Sequence, residues 1–452
     1  MPTLVRMTST QPFVPGRSHR WKVLAAGVVA NAAFSTAFSG IPMTAVLIRS
    51  GYRLDDAALG LVLGLMGLGI AVSELPWGLL TDKWGDRPVL LMGLGATAAA
   101  LFTMALLAAP EPGHVPGLAW LGAGLLLVGV FGGSVNGASG RAVMRWFADG
   151  ERGLAMSIRQ TAVPLGGGIG ALLLPIVTLR FGFGVMYGLL GVLCLMAAAL
   201  AAAWVREPLV ASGATAQASA PSAGQRPPLQ DAHAWRLVAG IGILCAPQFA
   251  LLSFGTVFLH DFSGVGLAVI SAAMTALQVG AMVMRVWSGR WTDHRRNRPA
   301  YLRACCALAV ILLAALALAT ALLGEGEPVG SPLTRAALVA LLVVGGVCVS
   351  AWHGVAYTEL ATLSGAGRAG TALGMANTAV FMVCFVTPLA IPHLRAAHGW
   401  SLVWLAASAC ALLALPLLAP PALPALRRPA TAGHRAPPAL SSAQSSSCTS
   451  TR

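Results

Sequence analysis

Gly78-Leu79-Leu80-Thr81-Asp82-Lys83-Trp84-Gly85-Asp86-Arg87-Pro88 returns later in the chain as Gly289-Arg290-Trp291-Thr292-Asp293-His294-Arg295-Arg296-Asn297-Arg298-Pro299. Gly, Asp, Arg and Pro recur at one offset of 211 residues (289 − 78, 293 − 82, 298 − 87, 299 − 88), and each copy lies between apolar runs of helix length. A second echo, at an offset of 217, matches Gly153, Gln160, Thr161, Ala162, Val163, Pro175 and Gly182 to Gly370, Asn377, Thr378, Ala379, Val380, Pro392 and Gly399. Two offsets so close together point to one ancestral repeat with small insertions. The expected product is a membrane protein made of two related halves.

Composition agrees with that reading. The 452 residues are 57% hydrophobic and only 10% charged, with a mean hydropathy of +0.76, a balance that makes lipid the main solvent. Twelve apolar stretches approach the roughly 20 residues a helix needs to cross about 30 Å of hydrocarbon. They run over 22–48, 58–81, 88–109, 118–145, 152–178, 182–204, 235–259, 264–289, 300–323, 334–361, 369–393 and 398–420. The first is too long for a signal-peptide core, so a retained helix is expected.

A net charge of +14 would point to nucleic acid in a soluble protein. Here its placement follows the membrane instead. With the N-terminus in the cytoplasm, the segments on that side hold 22 of the 29 Lys and Arg; the other side holds only Arg49, Arg53, Arg180, Arg335 and Arg395, while Arg159 and Arg285 fall inside spans. This is the positive-inside pattern, with both termini cytoplasmic, and it leaves no basic patch for nucleic acid. Seven of the eight Cys lie in apolar runs and none forms a CxxC, so neither a disulfide framework nor a metal site is expected.

The domain plan is a cytoplasmic segment over 1–21, a six-helix bundle over 22–205, a Ser/Ala/Pro-rich cytoplasmic linker over 206–234, a second six-helix bundle over 235–420, and a disordered Pro- and Ser-rich tail over 421–452. Gly60 and Gly64, and Gly129, Gly133 and Gly137, recur every four residues and are expected to let helices approach closely in lipid. Gly166, Gly167, Gly168 and Gly170, just beyond Pro164, are expected to interrupt the fifth span at mid-depth.

The two charged turns, with six spans, a linker and six more, resemble the major facilitator superfamily over about residues 22–420. The fold this implies is all-α, with twelve transmembrane helices in two six-helix bundles related by a pseudo-two-fold axis. Gly78, Asp82, Gly85 and Arg87 follow the family's loop motif, while the second copy carries Arg296 and Asn297 where the later Gly would fall. The resemblance implies a carrier that exposes a central cavity alternately to each side. In that picture Asp82 holds the cytoplasmic side closed through Arg141 or nearby helix ends, with Arg87 and Asp293 among the gating residues. The stretch from Asn136 to Thr161 also looks like bacterial superfamily members that carry small anions.

Several buried-charge candidates stand out. Arg159 lies seven residues past Arg152, about 10 Å along its span, and an intramembrane guanidinium costs at least about 2.5–3.5 kcal/mol. With Gln160 beside it, Arg159 either grips an anionic substrate or snorkels or pairs structurally. Arg285 occupies a place where superfamily members that transport monocarboxylates often have an arginine, and it invites the same two readings. Glu74 matches Arg285 across the repeat (285 − 74 = 211), so it either pairs with Arg285 or carries a coupled proton. Asn31, Gln248 and Asn377 are further candidates for substrate contact, and Gln278, His353 and Glu359 are other polar insertions.

The expected protein is therefore a secondary carrier, functional as a monomer in a bacterial-type inner membrane, moving a small monocarboxylate-like anion with H+. An efflux carrier for amphipathic or cationic compounds is the alternative. The sequence has no HExxH, GxSxG or Walker-type loop, so neither an enzymatic activity nor a cofactor is expected.

Overall fold

The computed structural model describes residues 18–111, 113–147, 149–206, 227–324, 330–364 and 369–418. Most of the expected N-terminal segment, most of the linker and the whole of the tail lie outside the described residues. Among the described residues the structure is helical, with no strand. The first half comprises His19–Phe38 (α1), Ala45–Gly51 (α2), Asp56–Trp84 (α3), Asp86–Leu107 (α4), Leu118–Trp146 (α5), Asp149–Gln160 (α6) and Ala162–Trp204 (α7). The second comprises Ala232–Asp261 (α8), Leu267–Arg295 (α9), Arg298–Leu323 (α10), Pro332–Ser350 (α11), His353–Ser364 (α12) and Ala369–Leu418 (α13).

Among the described residues, ten helical stretches are long and apolar enough to cross a membrane. Two of them are double. At 43 residues α7 would extend about 64 Å, twice the hydrocarbon thickness, and it breaks at Gly182 with φ +82°. Its limbs fold back on each other: Phe183 reaches the end of α2 at Tyr52, whereas Trp204 at the far end accepts a hydrogen bond from His19 at the start of α1. In the same way α13 breaks at His398 and Gly399. Twelve crossings result, as the apolar pattern predicts.

The repeated turn shows why its glycine matters. Gly85 is the single residue between α3 and α4 and has φ +88°, a conformation costly for a residue with Cβ. Its counterpart 211 residues later, Arg296, ends α9 in the same left-handed region with φ +51°. The second copy keeps the geometry without the residue that makes it easy. Arg296→Gly is therefore expected to raise stability by up to about 1 kcal/mol, read as a higher melting temperature in detergent.

The seam between the halves is made by α3 against α13 and by α7 against α9. Gly60 and Gly64 lie flat on the α13 backbone at Pro388 and Phe385, and Gly129 lies on α3 at Met66. Gly137 faces open space, so the expected small-residue face stops short of it. The glycines at 166–170 do not interrupt a span. They lie within α7, where Gly166 brings its backbone onto α1 at Ala32 and Gly170 onto Gly40, just past the end of α1. Close packing is their use, and the interruption comes earlier, at Thr161 between α6 and α7.

Candidate functional site

A belt of buried polar groups crosses the seam about midway along the helices. At its start Pro164, which has no N–H, leaves the Gln160 carbonyl without its helical donor. Arg159, 4% exposed, turns back toward α5: its Nε donates to Ser139 Oγ at 3.0 Å and Nη2 to the Asn136 carbonyl at 2.6 Å. Its guanidinium lies over Gly140, which has no side chain to displace it. Nη1 has no hydrogen-bond partner among the described residues.

Glu74 on α3 is near enough to Arg159 for the two charges to act on each other directly. Its Oε1 accepts from Asn377 Nδ2 on α13 at 3.0 Å, and Asn377 Oδ1 accepts from Tyr357 on α12 at 2.9 Å. The second carboxylate oxygen is buried without a partner among the described residues. Arg285 on α9 sits beside His353 and Tyr357, and its Nη1 donates to the Gln160 carbonyl at 3.2 Å, while Nε has no partner among the described residues. Two guanidinium groups, one from each half, thus enter the belt, Arg159 facing Glu74 and Arg285 reaching the carbonyl of the residue next to Arg159.

Above the belt lies an aromatic roof. Phe38 on α1 stacks on Phe249 of α8 at 5.8 Å between centroids and meets Phe381 of α13 edge-on at 5.6 Å. Asn31, Gln248 and Asn377 stand on the same helices one to two turns or less from these rings. Both amide atoms of Asn31 and Oε1 of Gln248 are buried without partners among the described residues. Unpaired buried polar atoms are expensive in an apolar setting, and several together mark a place where a ligand or water completes the bonding. No group of three or more His, Cys, Asp or Glu side chains suited to a metal occurs among the described residues.

The expected Glu74–Arg285 pair is not formed. The helices carrying them face different partners, α3 packing on α13 and α9 on α7, so each residue meets its own neighbours across the seam. Of the two partners offered for Asp82, Arg141 or nearby helix ends, the side chain takes Arg141; Arg141 also reaches Asp86 at 3.2 Å. Arg87 donates to the Ala202 carbonyl at 2.8 Å, tying α4 to the end of α7. Asp293 pairs with Arg298 at 3.0 Å, and Glu359 lies 3.6 Å from the same arginine, at the rim and away from the belt.

Sequence reasoning missed a second ionic cluster at the opposite ends of the helices. Arg49 grips Asp261 through two hydrogen bonds of 2.5 and 2.6 Å and reaches Asp56 at 3.2 Å; Arg395 bonds Asp56 and stacks over Trp400. Arg49 and Asp56 belong to the first half, Asp261 and Arg395 to the second. The ion pairs among the described residues at the basic end, by contrast, each stay within one half. The clue in the sequence was that Asp55, Asp56 and Asp261 stand at span ends on the side that holds only five Lys and Arg, Arg49 and Arg395 among them.

A helical bundle with a polar belt buried at the seam of two repeated halves defines a membrane transporter. The sequence profile of the Major Facilitator Superfamily matches residues 24–326, and the chain belongs to that superfamily. An uncharacterised MFS-type transporter of Mycobacterium tuberculosis strain H37Rv is 29% identical over 429 residues, covering 93% of this chain and 90% of the relative. A chloroplastic probable anion transporter of Oryza sativa subsp. japonica is 30% identical over 179 residues, 39% of this chain and 32% of the relative. Among solved structures, a bacterial homologue of the human lysosomal transporter Spinster, inward-facing and unoccupied, superposes with a TM-score of 0.64 at 14% identity, covering 89% of this chain and 98% of that one; this likeness concerns the fold alone.

Proposed function

We propose that this transporter moves a small organic anion of the monocarboxylate type together with a proton by alternating access. The observation that carries the reading is the convergence of Arg159 and Arg285, from opposite halves, on a belt whose one carboxylate is Glu74. A carboxylate substrate suits the planar donor forks, and a proton on Glu74 would release Arg159 from its neighbouring charge to take the substrate. Asn31, Gln160, Gln248 and Asn377 supply further polar contacts. In this reading the basic end faces the cytoplasm, both termini lie there, the membrane is a bacterial-type inner membrane, and one chain is the functional unit.

The aromatic roof supports a second reading, efflux of amphipathic or cationic compounds, with Glu74 as the counter-charge. Proteoliposomes separate the two. The anion reading expects an inward proton gradient to drive uphill uptake of a small carboxylate, and Glu74→Gln to reduce that accumulation to the level of protein-free vesicles while exchange of labelled for unlabelled substrate persists. No carboxylate uptake with or without a gradient, alongside proton-driven movement of a cationic dye, would favour the rival.

A further inference from the structure

Between the end of α6 and the basic half of α9 lies a crevice of about 740 Å³. Ile158 and Thr161 form one wall, and Val283, Trp287, Arg290 and Trp291 of α9 form the other. Neither Arg159 nor Arg285 lines it, so it is separate from the buried charges described above. Its composition is lopsided: apolar walls, two stacked indoles 5.7 Å apart, and one exposed arginine at the rim. Arg141 and Arg298 at this same end each hold acids, whereas Arg290 has no ion pair or hydrogen bond among the described residues.

We propose that this crevice is a binding site for an anionic phospholipid, with the phosphate on Arg290 and an acyl chain along Trp287 and Val283. The choice of occupant follows from charge and depth. Val283 is 58% and Trp287 47% exposed, values that the surrounding lipid must cover in a membrane-spanning helix. Indole rings favour the headgroup boundary, and a cation there attracts anionic headgroups by a free energy worth about a fivefold preference. A small soluble anion would use Arg290 but leave the apolar walls open. A lipid fills both. Because the walls come from different halves, the bound chain touches both at once and favours the arrangement of halves in which the crevice exists.

The test uses the full chain in phosphatidylcholine vesicles containing a trace of photoactivatable phosphatidylglycerol or photoactivatable phosphatidylcholine, with crosslinks mapped by mass spectrometry. The expected result is labelling of peptides around Ile158–Thr161 and Val283–Trp291, about fivefold greater for the glycerol headgroup. Arg290→Gln should bring the two lipids to equal labelling without lowering the melting temperature, and Val283→Trp, which fills the crevice, should remove both. Equal labelling by the two lipids in the unaltered protein would overturn the proposal, as would an excess unaffected by Arg290→Gln. Loss of the glycerol-lipid signal on adding inorganic phosphate would also overturn it, in favour of a small-anion site.

Discussion

Arg159→Ala is expected to abolish substrate binding while the protein still folds, and it is the substitution with the largest predicted effect on function. The side chain is buried, holds Ser139 and the Asn136 carbonyl, and is the charge that acts on Glu74. Removing one member of a buried charged pair costs about 2 kcal/mol or more, or at least roughly 30-fold in affinity. Lysine does not replace it. A single ammonium cannot serve Ser139 and Asn136 on α5 while also presenting a planar fork to a carboxylate, so Arg159→Lys should lose nearly as much. Isothermal titration in detergent with the transported carboxylate measures both variants. Binding that survives Arg159→Ala within a few-fold would remove the anion reading of the site and leave Arg159 as a structural tie between α5 and α6. Glu74→Gln in the Arg159→Ala background adds a discriminating control: if Arg159 chiefly neutralises Glu74, the second change should restore stability without restoring binding.

The features that depend on local chemistry were legible in the sequence. The family resemblance offered Asp82 either Arg141 or nearby helix ends, and of these the side chain takes Arg141. The twelve crossings followed from the length of the apolar runs, including the hairpins at Gly182 and Gly399. What was not legible depends on which helices become neighbours. The repeat put Glu74 and Arg285 in register and so suggested a pair. Packing instead gave Glu74 to Asn377, which the sequence had offered as a substrate contact, and Arg285 to the Gln160 backbone carbonyl, which Pro164 leaves without a helical donor. Tyr357 was missed for the same reason. A tyrosine near a span end reads as an interfacial anchor until α12 and α13 are seen side by side. The glycines at 166–170 show the reverse error: a pattern that reads as a weak point in a helix serves as a contact surface once α1 is placed against it.

The cluster of Arg49, Asp56, Asp261 and Arg395 has the largest predicted effect on conformation. It joins the halves at the end away from the basic surface, whereas the ion pairs described at the basic end each stay within one half; in the proposed alternating-access reading, with the basic end cytoplasmic, this is the form closed to the outside. The four side chains are 18–27% exposed, which places the network between surface pairs that contribute little and fully buried ones. Bidentate geometry between Arg49 and Asp261 raises its share. Asp261→Asn weakens contacts to both arginines, and with Arg49→Ala it should shift the balance toward an outward-open form by about 1–2 kcal/mol, roughly 5- to 30-fold in population. Spin labels at Ser50 and Val269, at exposed positions of the two halves near this end, read that shift as a new long-distance component in pulsed electron resonance, once the native cysteines are replaced. The single and double variants form a cycle: if the pair acts as one lock, the double change should open the outer end little more than either single change. An unchanged distance distribution in all three would mean that the glycine-lined seam of α3 and α13 holds the outer end closed without help from the charges.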